Sequence, residues 1–226
     1  CPVVIRSHRV SIQVPAGAYD LSAELRRTNA PRILQEVRGD FVLEVEVDGQ
    51  FQTGEGTIAT RTAYNGAGLL IWQDELNYLR LERAALKRSG NLQHYVNFEQ
   101  RINGRLTRFG SEKDYEVDAT KPCKLRLERK GQQIMGYAKQ GEADWQSLGV
   151  KSAGLPLDMW VGVAAINASD AAFEPVFTGL TLEAAGMKQA ATPVPAKVDP
   201  YEVPDADVKG LVEFIRRLKS TRPRTA

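Results

Sequence analysis

Between Ala67 and Glu128 the chain alternates apolar and polar residues in four segments: Ala67–Asp74, Asn77–Arg83, Tyr95–Arg101 and Lys124–Arg129. In an extended strand successive side chains point to opposite faces. The alternation therefore predicts Leu79, Leu81, Val96, Phe98, Leu125 and Leu127 facing inward. It sends Tyr78, Arg80, Glu82, Tyr95, Asn97, Glu99, Arg101, Arg126 and Glu128 together onto one outward face. A sheet face carrying tyrosine, carboxylate and guanidinium is either a ligand cleft or a solvated surface.

Other segments carry the same period. Val10–Val14 alternates up to Pro15, and Phe41–Val47 alternates up to Asp48-Gly49, a turn dipeptide. Gln133–Ala138 reads as a hairpin or meander edge, and Phe177–Leu182 closes the series. Met159–Ile166 is almost wholly apolar, the pattern of a central strand covered on both sides, and Trp160 within it is expected in the core. No amphipathic helical period appears before residue 200. Many short strands without intervening helices predict an all-β antiparallel sandwich over residues 1–185.

Residues 186–204 contain several prolines and few large apolar residues, so they read as an extended linker. Over 205–222, Val208, Leu211, Val212, Ile215 and Leu218 recur at helical spacing, with basic residues in the last turns. This predicts an amphipathic basic helix whose apolar stripe docks back on the sandwich, on a partner or on a further domain.

Composition narrows the function. Thirty basic against 28 acidic residues give a net charge of +2, without the basic field that nucleic-acid binding needs. Nucleic acid is therefore not expected as a partner. Two cysteines, Cys1 and Cys123, exclude a disulfide framework, and His8 and His94 read as ordinary strand residues. No run approaches the roughly 18 apolar residues of a membrane span. The chain opens at Cys1; a processed or excised boundary is expected there, with an N-terminal lipid anchor as the alternative and an extracytoplasmic location slightly favoured.

The order of several motifs carries a resemblance. Val14-Pro15, Tyr19–Leu21, Asn29–Leu34, Gly39–Phe41, Gly66–Trp72, Asn77-Tyr78, Leu81–Arg83, Leu125–Arg129, Asp144-Trp145 and Gly162-Val163 follow one another in sequence. About residues 10–183 thereby resemble an uncharacterised bacterial family, domain of unknown function 1349, with the concanavalin A-like lectin/glucanase sandwich (a jelly roll). They are also similar to the C-terminal domain of bacterial β-xylosidases. The resemblance implies two curved antiparallel sheets, with sugars held on the concave face or its rim loops. It also implies an optional structural calcium, for which Asp40 is a candidate ligand; Thr178 stands where related domains often carry an acid.

The outward set supplies what a sugar needs, an aromatic plane and bidentate polar groups. Trp72, Tyr78, Arg80, Glu82, Tyr95, Glu99, Arg126 and Glu128 are thus the candidate ligand face. The competing account is a lattice of cross-strand Arg–Glu pairs, each contributing roughly 0.2–1 kcal/mol. Trp145, in a turn, is expected to cap the sandwich end. For catalysis, Glu44, Glu46 and Asp48 share one strand face, and Glu82 and Glu99 form a second pair. Arginines flank that pair and would lower both carboxyl pKa values, whereas a general acid needs the reverse. No nucleophile elbow or phosphate loop is present. The expectation is a non-catalytic glycan-recognition or accessory module. A structural protein–protein subunit docking through linker and helix is the alternative, and glycoside hydrolysis the third reading.

Overall fold

The computed structural model describes residues 1–6, 8–109, 114–152 and 154–184. The linker at 186–204, the helix at 205–222 and its Val208, Leu211, Val212, Ile215 and Leu218 lie outside the described residues. The regular structure of the described residues is nearly all strand, mainly in two seven-strand antiparallel sheets packed face to face.

The first sheet runs in the order β1 (Val3–Arg6), β2 (Arg9–Ile12), β16 (Val176–Ala184), β7 (Phe41–Asp48), β12 (Cys123–Lys130), β13 (Gln133–Lys139) and β14 (Gln146–Ser152). The second runs β11 (Arg105–Arg108), β10 (Asn91–Ile102), β9 (Tyr78–Arg88), β8 (Tyr64–Trp72) and β15 (Asp158–Ser169). Both β3 (Gly17–Tyr19) and β6 (Arg32–Arg38) pair with the far side of β15.

The predicted alternation sets the packing. Leu43, Val45, Leu125 and Leu127 of the first sheet meet Leu69, Leu79, Leu81, Val96, Phe98, Val161 and Val163 of the second in one continuous core. Apolar burial of this kind stabilises a sandwich by roughly 25 cal/mol per Å² removed from water. At one end of the core Arg129 shares the inward parity of Leu125 and Leu127, and its guanidinium donates to the carbonyls of Gly131, Pro156 and Leu155. At the other end Arg83, inward like Leu81, donates to the Ala119 carbonyl. Each arginine thus satisfies carbonyls that the closing loops would otherwise leave unpaired.

The second sheet is covered on both faces. Its outer face carries a separate cluster, Tyr64, Leu70, Tyr78, Ala84, Leu86, Tyr95, Ala164 and Ile166. A strap completes that cluster with Leu21, Ala23 and Ala30. The strap consists of β4 (Leu21–Ser22), the 3-10 turn Ala23–Leu25 and β5 (Arg27–Thr28). Its turn ends at Arg26, held in the left-handed region at φ 53°.

Candidate functional site

The outward residues predicted to share one face are divided between two sheets. Tyr78, Arg80, Glu82, Tyr95, Asn97, Glu99 and Arg101 lie together on the outer face of the second sheet. Arg126 and Glu128 lie on β12, in the first sheet, on the opposite outside of the molecule. Two outward faces exist because the sandwich has two outsides, which a period of two cannot distinguish.

On the second sheet the polar set is covered rather than open. Glu82 is 2% exposed and Glu99 0% exposed, and Tyr78, Arg80, Tyr95 and Arg101 are buried. The strap lies over them. Tyr78 Oη accepts the Ala23 amide at 3.0 Å, Glu24 pairs with Arg101 at 3.1 Å, and Asp20 stands 3.8 Å from Arg80. Arg61 ties the strap down further through Ser22 at 2.9 Å.

Inside, Glu99 is gripped by Arg80 and Arg101, with Arg108 Nε at 3.4 Å. Burial works against its ionisation, but the adjacent Arg80 and Arg101 hold its carboxyl far below the usual range. Glu82 goes the other way. Burial raises its pKa more than Arg80, 3.7 Å away, can lower it. The expectation that flanking arginines depress both carboxyls therefore fails at Glu82, because only Glu99 has guanidinium groups in direct contact. Glu82 is instead held by neutral donors, Tyr64 Oη at 2.7 Å and Asn97 Nδ2 at 3.2 Å. Two carboxylates with pKa values pushed apart are the electrostatic pattern of an acid and its partner, yet neither is accessible to a substrate.

On the first sheet Arg126 pairs with Glu44 at 2.5 Å and with Glu128 at 3.5 Å, while Lys124 reaches Glu46 at 3.8 Å. Trp145 is covered there by Arg126 at 4.4 Å and Lys139 at 5.3 Å, so it lies against this sheet face instead of capping an end. Arg126, Glu128 and the acids of β7 form a cross-strand ladder on a solvated face. Asp40 accepts the Gly131 amide at 2.7 Å and so pins the turn between β12 and β13.

What remains open is one end of the second sheet's outer face, beyond the strap. Trp72 is half-buried there and stacks on Tyr78 at 5.2 Å between ring centroids. Its cross-strand neighbour is Trp160, which is 43% exposed, not in the core as its apolar strand suggested. Met159 and Val161 take the inward positions, which leaves Trp160 to point outward at the strand's first turn into the sheet. The alternation within Met159–Val163 carried that signal, but an apolar strand of this length reads as covered on both sides. Arg32 stacks over Trp72 at 4.2 Å, and Glu36 is the partner of Trp160 on β6. Neither Arg32 nor Glu36 stands out in the sequence, because the strap and β6 must fold before they meet the tryptophans. The end therefore presents the exposed Trp160 indole between Glu36 on β6 and a Trp72 that Arg32 covers.

Several solved structures share this architecture. A functionally unknown protein from Saccharomyces cerevisiae superposes with a TM-score of 0.65 at 14% identity, covering 81% of this chain and 92% of that one. The GH43 protein BlXynB from Bacillus licheniformis gives 0.58 at 15% identity, covering 78% of this chain and 33% of that one, and its K247S mutant gives the same score and identity over 80% and 34%. The xylan β-1,4-xylosidase from Bacillus halodurans C-125 gives 0.56 at 15% identity, over 75% of this chain and 32% of that chain. This chain spans about a third of those two enzymes, and at such identities the likeness is one of fold. Comparison with curated proteins gave no match. Residues 7–185 match the family described as Protein of unknown function (DUF1349), and the chain belongs to that family.

Proposed function

We propose that this domain is a non-catalytic accessory module that recognises carbohydrate through the open end of its second sheet. The observation that carries the reading is Trp160. It is a large exposed indole beside Trp72, with the Arg32 guanidinium stacked over that neighbour and Glu36 its cross-strand partner on β6. A pyranose offers an apolar face that stacks on an indole and hydroxyls that bond to guanidinium and carboxylate, so this arrangement fits one. The absence of an accessible carboxylate pair at Glu82 and Glu99 supports recognition without hydrolysis, since glycoside cleavage needs two carboxyls flanking the bond. The xylosidase likeness supports the ligand class and no more.

Trp160→Ala is the direct test, read by affinity electrophoresis in gels containing soluble xylan or other plant and microbial glucans. Removing one stacking partner is expected to weaken binding about tenfold, or ~1.4 kcal/mol. Equal retardation of wild type and variant overturns the assignment. A second reading, docking of a protein partner, is favoured by Leu76 and Leu157, which are also exposed at this end. In that case Trp160→Ala would dissolve an assembly seen by light scattering and leave glycan mobility unchanged.

A further inference from the structure

The opposite end of the sandwich holds a different feature. A cavity of about 540 Å³ opens between the loop that follows β7 and the loop that precedes β12. Asp48, Gln50, Phe51, Gln52, His94 and Thr120 line it. The volume is that of a small-molecule site, typically about 300–1,000 Å³. Its walls are fixed without a ligand. Gln140 Nε2 donates to the carbonyls of Asp118 and Lys121 at 2.9 and 3.1 Å, and its oxygen accepts the Asp118 amide at 2.8 Å. Asp118 in turn accepts from the Thr120 amide and hydroxyl at 2.9 and 2.7 Å. Across the cavity Asp48 accepts the Gly49 amide at 2.7 Å.

Hydrogen-bonding capacity is left over at this site. His94 lies on the inward side of β10, and its Nδ1 is buried with no partner among the described residues. Behind the wall sits Arg83, 1% exposed, stacked on Phe51 at 4.5 Å and bonded to the Ala119 carbonyl at 2.7 Å. Its Nε is likewise buried without a partner, and the carboxylate of Asp48 comes no nearer than 3.8 Å. Buried polar atoms in native folds are almost always satisfied, so the His94 Nδ1 at the cavity wall indicates a group that something else completes. Burial and the neighbouring Arg83 hold the His94 pKa down, which keeps the ring neutral and able both to donate and to accept.

The lining selects the ligand. Phe51 and Ala119 are the apolar side chains of the lining, one buried and the other a single methyl, so an apolar ligand gains little there. Asp48, its side chain 57% exposed at the mouth, disfavours an anion. Among the described residues no group of three or more His, Cys, Asp and Glu could hold a metal. Two amides, a hydroxyl, a neutral imidazole and a carboxylate instead match alternating donors and acceptors on a compact ring. We propose that this cavity is a second and separate site, for a small neutral polyhydroxylated molecule of mono- to disaccharide size. It lies about 23 Å along β9 from the tryptophans, counting seven residues from Tyr78 to Ala85, the partner of His94, at roughly 3.3 Å each.

The test is an NMR titration of the full ¹⁵N-labelled chain with a panel of neutral hexoses, pentoses and their alditols, each to about 100 mM, above the millimolar affinities expected of a polar site. Saturable shifts are expected at the amides of Gln50, Gln52, His94 and Thr120, with a dissociation constant independent of any movement of the Trp160 indole. His94→Gln and Thr120→Val are each expected to weaken that binding at least about tenfold. Thr120 is on an exposed loop, so its variant serves if His94→Gln fails to fold. No saturable shift in this set from any panel member overturns the site, as does undiminished binding by a folded Thr120→Val variant. Trp160→Ala is expected to leave these shifts intact, so failure of the platform and failure of the cavity are read separately.

Discussion

Glu82 and Glu99 sit on neighbouring strands of one buried network, yet replacing each by glutamine should have opposite consequences. Glu99→Gln removes the charge that Arg80 and Arg101 both contact. Arg101 keeps Glu24 at 3.1 Å, but Arg80 is left with Glu82 at 3.7 Å and Asp20 at 3.8 Å. Breaking a buried pair from one side costs about 3–5 kcal/mol. The surviving partners place this case near the lower figure, about 3 kcal/mol. For a domain of this size that is a fall in Tm of roughly 6–12 °C. Glu82→Gln keeps an acceptor for Tyr64 and Asn97 and removes a charge whose burial is already unfavourable, so its cost should stay within about 1 kcal/mol. The pH dependence separates them too. Glu99 titrates below its ordinary 4.5 in the folded state, so its contribution is complete above that pH and lost as pH falls below it. Glu82 titrates above 4.5, so stability is gained as pH falls through its raised value. Urea unfolding followed by tryptophan fluorescence from about pH 3 to pH 7 reads both. Glu99→Gln should flatten the acid limb below 4.5, and Glu82→Gln the limb above it. A Glu99→Gln variant within about 1 kcal/mol of wild type, or two variants of equal cost, would refute the reasoning.

Gly162→Ala should be poorly tolerated, because a Cβ there would lie 2.0 Å from the Ile33 carbonyl oxygen of β6. A loss of about 3 kcal/mol is expected, seen as a lowered urea midpoint, with little effect if β6 can move away. Of the two cysteines, Cys1 is exposed and Cys123 is buried, its thiol pushed up to about 12 chiefly by burial. Ellman titration of the native chain at neutral pH should therefore release one thiol equivalent, and a second only in denaturant. Two equivalents in the native state would show that the β7–β12 pairing at Cys123 opens readily.

Much of the fold was legible from period alone. The inward leucines and valines of β7, β9, β10 and β12 occupy the core that their spacing predicted, and the all-β class followed from short alternating segments without a helical period. Trp160 and the strap were not legible. A strand apolar on both faces gives no indication of which end emerges from cover, and Asp20 and Glu24 meet their arginines only across 37 to 77 residues of chain.

The pentapeptide Leu-Arg-Leu-Glu-Arg shows where local information ends, because it occurs twice, at 79–83 and 125–129. In both copies the leucines enter the core and the last arginine turns inward to bond loop carbonyls, as parity requires. The middle residues diverge: Arg80 and Glu82 are buried beneath the strap, whereas Arg126 and Glu128 stay partly exposed in a surface ladder. Alternation is a property of the extended backbone, so five residues suffice to decide which side chains share a face. Whether that face meets water depends on what another stretch of chain lays over it, and only the tertiary structure decides that.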